Sequence, residues 1–160
     1  MIEILRNILN GGVAKDAGGG MPAQQLAVVA LLVEAAKLDG VFGDDERLRI
    51  GQLLRARFGR DEAGASALIA AADEQTARGG DLYGPTKTVR DNFDHGQRIE
   101  IVEMLWEVAY ADGHLHDFEA NLLRRVAGLI YVTDRESGEA RKRVLGRRPA
   151  GAGKTGGTVK

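Results

Sequence analysis

The sequence contains no cysteine, and that absence removes disulfides, thiolate nucleophiles and Cys-ligated zinc or iron–sulfur sites while suiting a reducing compartment. Aromatic residues make up only 5% of the chain and there are three prolines. No stretch approaches the roughly 20 apolar residues needed to cross a bilayer. The first residues lack the basic region, apolar core and cleavage site of a leader, so a cytoplasmic protein is expected. No segment alternates apolar and polar residues long enough to read as a strand. An excess of positive charge is missing as well: the formal net charge is -1. Residues 141–160 hold seven bases (Arg141, Lys142, Arg143, Arg147, Arg148, Lys154, Lys160) and no acid, which leaves residues 1–140 at -8. An acidic body repels nucleic acid and anionic membrane and suits cations or basic partners.

What remains is alanine, leucine and charge, the composition of a helical domain, and 160 residues suffice for one domain with a proper core. Met1 to Leu9 forms a short amphipathic stretch that can pack on the body or on a second chain, and Gly-rich residues 11–20 follow as a linker. From Pro22, apolar residues recur at Leu26, Val29, Ala30, Val33 and Ala36 with helical period, up to Asp39-Gly40. A second helix is expected over Asp44–Phe58, with Leu48, Ile50, Leu53 and Leu54 inward and Gly59 ending it. A third runs from Asp61 to Arg78. Gly84-Pro85 marks a turn before a short helix through Phe93. From His95, the residues Ile99, Val102, Leu105, Trp106 and Ala109 share a face up to Asp112-Gly113. Two more helices are expected over Asp117–Ile130 and Thr133–Leu145, the last capped by Thr133. The fold class is therefore all-α, a compact bundle of about seven helices. The layout is an N-terminal arm (1–22), a helical domain (23–145) and a disordered basic tail (146–160).

Shifting the chain by 73 positions superimposes Glu34, Ala36, Asp39, Gly40, Asp44 and Glu46 on Glu107, Ala109, Asp112, Gly113, Asp117 and Glu119, all identical. Apolar residues follow: Val28 falls on Ile101, Leu31 on Met104, Leu32 on Leu105, Leu53 on Val126 and Phe58 on Tyr131. The pattern reads as a pair of pseudo-symmetric helical hairpins with an acidic turn, Asp-Gly-x-x-x-Asp-x-Glu, in each.

Two chemistries account for such a turn. In the first, Gly40 and Gly113 end one helix while Asp44 and Asp117 start the next, and Glu46 and Glu119 close capping boxes. That leaves Asp39 and Asp112 unexplained, because a carboxylate at a helix C-terminus opposes the dipole. In the second, Asp39, Asp44 and Glu46 and their counterparts Asp112, Asp117 and Glu119, with Glu34 and Glu107 nearby, supply oxygen ligands to a divalent cation. Ca²⁺ or Mg²⁺ fits such ligands and Zn²⁺ fits less well. The spacing is not that of an EF-hand.

The stretches Glu34-Ala-Ala-Lys-Leu-Asp-Gly-Val-Phe-Gly-Asp-Asp-Glu46 and Val108-Ala-Tyr-Ala-Asp-Gly-His-Leu-His-Asp-Phe-Glu119, with Leu122-Leu-Arg-Arg-Val126, resemble the TerB family of tellurite-resistance proteins over about residues 23–145. A related domain occurs in membrane-anchored DnaJ-like co-chaperones, but no J-domain is seen here. The resemblance implies an all-helical bundle, a bacterial stress context and acidic positions suspected of binding metal. Family members commonly carry Ser or Thr where this chain has Gly43 and His116.

Other motifs are weaker. His114 and His116 have no counterparts in the first copy, which holds Val41 and Gly43, and read as exposed turn residues. His95 shows no Ser or Asp partner and receives no catalytic role. Gly151-Ala-Gly-Lys-Thr155 lacks the first glycine of a phosphate loop as well as its strand and helix. The expectation is a non-catalytic stress-response module, with no nucleic acid and no transmembrane segment. It would bind a divalent cation, a basic or membrane-associated protein partner, or both, and a homodimer is compatible. A small metal-dependent hydrolase using the same carboxylates and a purely structural adaptor are the alternatives.

Overall fold

The computed structural model describes residues 23–37, 42–78, 82–111 and 117–147, without the side chains of residues 117–119. The seven helices within them are α1 (Ala23–Ala36), α2 (Asp44–Arg57), α3 (Glu62–Ala77), α4 (Tyr83–Asn92), α5 (His95–Ala109), α6 (Asp117–Leu129) and α7 (Asp134–Arg147). No strand occurs among the described residues, so the fold is an all-α bundle. No helix among them is long and apolar enough to cross a membrane. The expected N-terminal arm and most of the basic tail lie outside the described residues.

Two helices form the centre. In α1 every residue from Ala27 to Val33 is buried, and in α5 every residue from Glu100 to Trp106. Helices apolar on all sides belong inside a bundle rather than on its surface. Accordingly α1 touches α2, α3, α4, α5 and α6, while α5 touches α1, α2, α6 and α7. The sequence pattern assigned each of them one apolar face, and burial around the whole circumference goes further.

The 73-residue offset is visible in the helix bounds. Helices α1 and α5 end at Ala36 and Ala109, and α2 and α6 begin at Asp44 and Asp117. Val28, Leu31 and Leu32 on α1 and Ile101, Met104 and Leu105 on α5 are all at most 1% exposed. In both copies the third helix packs on the first, α3 on α1 and α7 on α5.

The register breaks at the far end of the second helix. It carries buried residue onto buried residue as far as Arg57 and Ile130. Helix α2 ends at Arg57 with the left-handed Gly59 (φ 71°) two residues on, whereas α6 ends at Leu129 and turns through Tyr131 (φ 64°). With α6 one residue shorter, Tyr131 takes the place of Gly59 and not of Phe58. Tyr131 is therefore 63% exposed, while Phe58 is buried at 1%. The Tyr131 amide donates to the Gly128 carbonyl (3.1 Å) and the Val132 amide to that of Ala127 (2.8 Å). This pairing closes a helix on a left-handed residue.

Three further expectations need correction. Leu48 points outward and is 63% exposed, because the buried face of α2 runs through Glu46, Ile50, Leu53, Leu54 and Arg57, and Leu48 stands nearly opposite. Gly84 and Pro85 lie inside the first turn of α4, where a missing N–H removes no intrahelical bond. Helix α7 continues past Leu145 to Arg147, whose guanidinium is held by acids of α5. The Thr133 cap of α7 is present: its hydroxyl accepts from the Glu136 amide (3.1 Å), and Glu136 returns a bond from the Thr133 amide (2.9 Å).

Candidate functional site

The acidic turns begin where α1 and α5 stop. Both helices end three residues before the Asp-Gly pair of their motif, at Ala36 and Ala109. Residues Asp39, Gly40, Asp112 and Gly113 lie outside the described residues. The repulsion between a helix C-terminus and a carboxylate acts within the last turn. Asp39 and Asp112 follow the described helix ends by three residues in sequence.

The start of α2 is described in full. Gly43 has extended backbone (φ -83°, ψ 178°), and its amide donates to Glu46 Oε1 (3.1 Å), the glutamate half of a capping box that a glycine cannot complete with a side chain of its own. Glu46 is thereby drawn in and only 8% exposed. Asp44 and Asp45 stay exposed in the first turn, where the dipole favours negative charge. Around them the charges are paired. Lys37 Nζ meets Asp73 Oδ1 (2.7 Å) and donates to Thr76 Oγ1 (2.8 Å). Arg47 reaches Asp73 (3.5 Å) and lies over the Phe42 ring at 4.3 Å. The hydrogen bond from Lys37 holds the Asp73 carboxyl below its ordinary value.

The other sequence candidates have different surroundings. Glu34 is half-buried on α1. Glu107 Oε2 accepts from Arg147 Nη2 (2.9 Å). Asp117 opens α6 as Asp44 opens α2, but its side chain and that of Glu119 lie outside the described residues, as do His114 and His116. Among the described residues no three His, Cys, Asp or Glu side chains converge as a metal site would require. Asp44 and Asp45 are the exposed carboxylates described at the first turn. His95 does have a partner, Glu136 of α7, at 2.7 Å.

Sequence reasoning missed the charges buried between α2, α5 and α7. Arg57 on α2 meets Glu100 (3.3 Å) and Glu103 (3.7 Å) of α5. Glu103 also accepts from Arg143 and Arg147 of α7, and Arg147 continues to Glu107. Arg57, Glu100 and Glu103 are each at most 5% exposed. Among the described residues Glu100 Oε1 has no hydrogen-bond partner, and burial pushes the Glu100 carboxyl up to about 7 against the pull of Arg57. The spacing of Glu100, Glu103 and Glu107 along one face of an otherwise apolar helix was the available signal.

The fold and the turns can now be set beside known proteins. The family described as tellurite resistance protein TerB matches over residues 25–142, most of the chain and both acidic turns. The chain belongs to the TerB family. Among solved structures it is similar to a protein of unknown function from Porphyromonas gingivalis W83, at 17% identity and a TM-score of 0.54, covering 78% of this chain and 98% of that one. At that identity the likeness concerns the TerB-type helical fold alone. Comparison with curated proteins gives no significant match.

Proposed function

We propose that this TerB-family protein is a non-catalytic cytoplasmic module of the response to tellurite, metal or oxidant stress, and that it works by binding through its acidic turns. The ligand is a divalent cation of the Ca²⁺ or Mg²⁺ type, a basic protein partner, or both. Residues 23–145 would be the binding domain, flanked by the N-terminal arm and the basic tail. One observation carries the reading. Of the three acids at the start of α2, Glu46 is drawn in by the Gly43 amide, while Asp44 and Asp45 are left exposed beside a turn that holds Asp39. Capping alone needs one of these carboxylates, and hard oxygen donors at a helix start are suited to cations and to the guanidinium and ammonium groups of a partner.

Calorimetric titration of Ca²⁺, Mg²⁺, Mn²⁺ and Zn²⁺ tests the cation. Wild type should give binding heat with at least one of the hard ions, and Asp39→Asn/Asp112→Asn should lose it. Silence of wild type towards all four ions, with no shift in melting temperature, removes the cation and leaves partner docking.

A further inference from the structure

Between α2 and α3 runs an open groove of about 420 Å³. Small residues make it: a Cβ added to Gly51 would meet nothing within 4 Å, and Ala65 and Ser66 face it from α3. Its apolar surface comes from Ile69 and from Leu48, 63% exposed and the most poorly covered leucine of the core-forming helices. Arg55 and Glu62 lie towards the α2–α3 turn, and Asp44 and Asp45 at the other end. A groove with an apolar floor and charged ends is the shape into which an amphipathic helix lays its apolar face.

We propose that residues 1–9 of the same chain occupy this groove, as a strap that covers Leu48. The segment has the required pattern, with Ile4, Leu5, Ile8 and Leu9 at helical spacing and a single acid and base, Glu3 and Arg6, to meet the charges of the groove. Its point of attachment is also suitable. Helix α1 begins at the α2–α3 turn, where Arg60 Nε donates to Gln25 Oε1 (2.8 Å), so the chain before Ala23 departs from the turn end of the groove. Residues 10–22 contain five glycines. Such a chain of 13 residues has a root-mean-square span of about 20 Å, close to the length of α2 at about 1.5 Å per residue. A strap lying there reaches Asp44 and Asp45 at the mouth of the first acidic turn, where it would compete with whatever docks on them.

The absence of native cysteine makes the test clean, because introduced pairs have no thiol competitors. Ile8→Cys is combined with Gln52→Cys in the groove or with Lys142→Cys, exposed on α7, and mild oxidation is followed on non-reducing gels. The groove pair should close within one chain about tenfold faster or more than the α7 pair, as the higher effective concentration of a docked segment requires. Adding Leu48→Glu to the groove pair should abolish the advantage. Equal closure rates for the two pairs overturn the proposal. Closure as a disulfide-linked dimer overturns it too, by assigning the groove to the arm of a second copy. Neither readout involves cations, so the outcome is separable from that of the titration.

Discussion

The two halves of the bundle tie their first helix to their third with opposite polarity. In the first half the base, Lys37, follows directly on the end of α1 and the acid, Asp73, sits on α3. In the second the acids sit on the first helix and the bases on the third, Glu103 and Glu107 on α5 against Arg143 and Arg147 on α7. The surroundings differ as well. The Lys37 and Asp73 side chains are 27% and 34% exposed, whereas that of Glu103 is 7% exposed. Reversed polarity teaches that equivalent helices are not interchangeable. A third helix packed on the wrong first helix would set acid against acid or base against base, and like charges in poor solvent repel strongly. Arg57 sharpens the contrast, because it occupies the buried position that Ile130 fills in the other half.

The largest expected effect follows from that position. Replacing Arg57 with methionine keeps much of the volume but strands Glu100 in the interior, while Glu103 keeps Arg143 and Arg147. Removing one partner of a buried ion pair costs about 3–5 kcal/mol, whereas an exposed pair is worth about 0–1 kcal/mol. Urea unfolding of Arg57→Met and Lys37→Met should therefore give losses that differ several-fold. Comparable losses would mean that the two halves are fastened by equivalent links after all.

How much of this was legible from the chain follows from the range of each interaction. The helices and most of the core came from periodicity, which is local, and the acidic turns came from self-comparison. Leu48 was misplaced because a leucine in a helix reads as core unless its angle to Ile50 and Leu54 is taken into account. The Arg57 network was not visible, because its members lie on three helices separated by about 40 residues in sequence, and nothing local marks Arg57 as different from exposed Arg55. For the candidate site the sequence supplied the acids but not what each already touches. Glu46 is drawn into a cap and Glu107 is held by Arg147, and both facts depend on packing.

A second, smaller effect is the pH dependence of Glu100. Its carboxyl is pushed from the ordinary 4.5 up to about 7 by burial, with Arg57 opposing. The folded state thus holds this proton over a pH range in which the unfolded chain has lost it, and stability falls wherever the folded state binds more protons. Below pH 4.5 the group contributes no slope. As pH rises from about 4.5 to about 7 stability should decline, by on the order of 1–3 kcal/mol in all, and then level off. Glu100→Gln should flatten that part of the profile and be the more stable protein at pH 8. Urea midpoints taken from pH 4.5 to pH 8 check it, and an unchanged slope in the glutamine variant would assign the dependence to other groups. Nothing equivalent is expected in the first half, where the half-buried Lys37–Asp73 link depresses a carboxyl instead.

The smallest effect concerns the two left-handed residues. Gly59 sits there without strain, so Gly59→Ala should cost about 1–2 kcal/mol, the penalty of placing a Cβ in that conformation. Tyr131 already bears it. Its ring lies under the Arg90 guanidinium at 5.4 Å, and Arg90 also donates to the Leu129 carbonyl (3.2 Å), so the side chain returns part of the strain as an exposed cation–π contact of about 0.5–1 kcal/mol. Tyr131→Gly would relieve about 1–2 kcal/mol, give up that contact and add about 0.5–1 kcal/mol of glycine chain entropy. The terms nearly cancel, and the melting temperature of Tyr131→Gly should stay close to that of wild type while Gly59→Ala melts several degrees lower. If Tyr131→Gly instead lost as much as Gly59→Ala, the ring would be contributing far more than its contact with Arg90 accounts for. The two turns would then differ in what they hold and not only in which residue makes them.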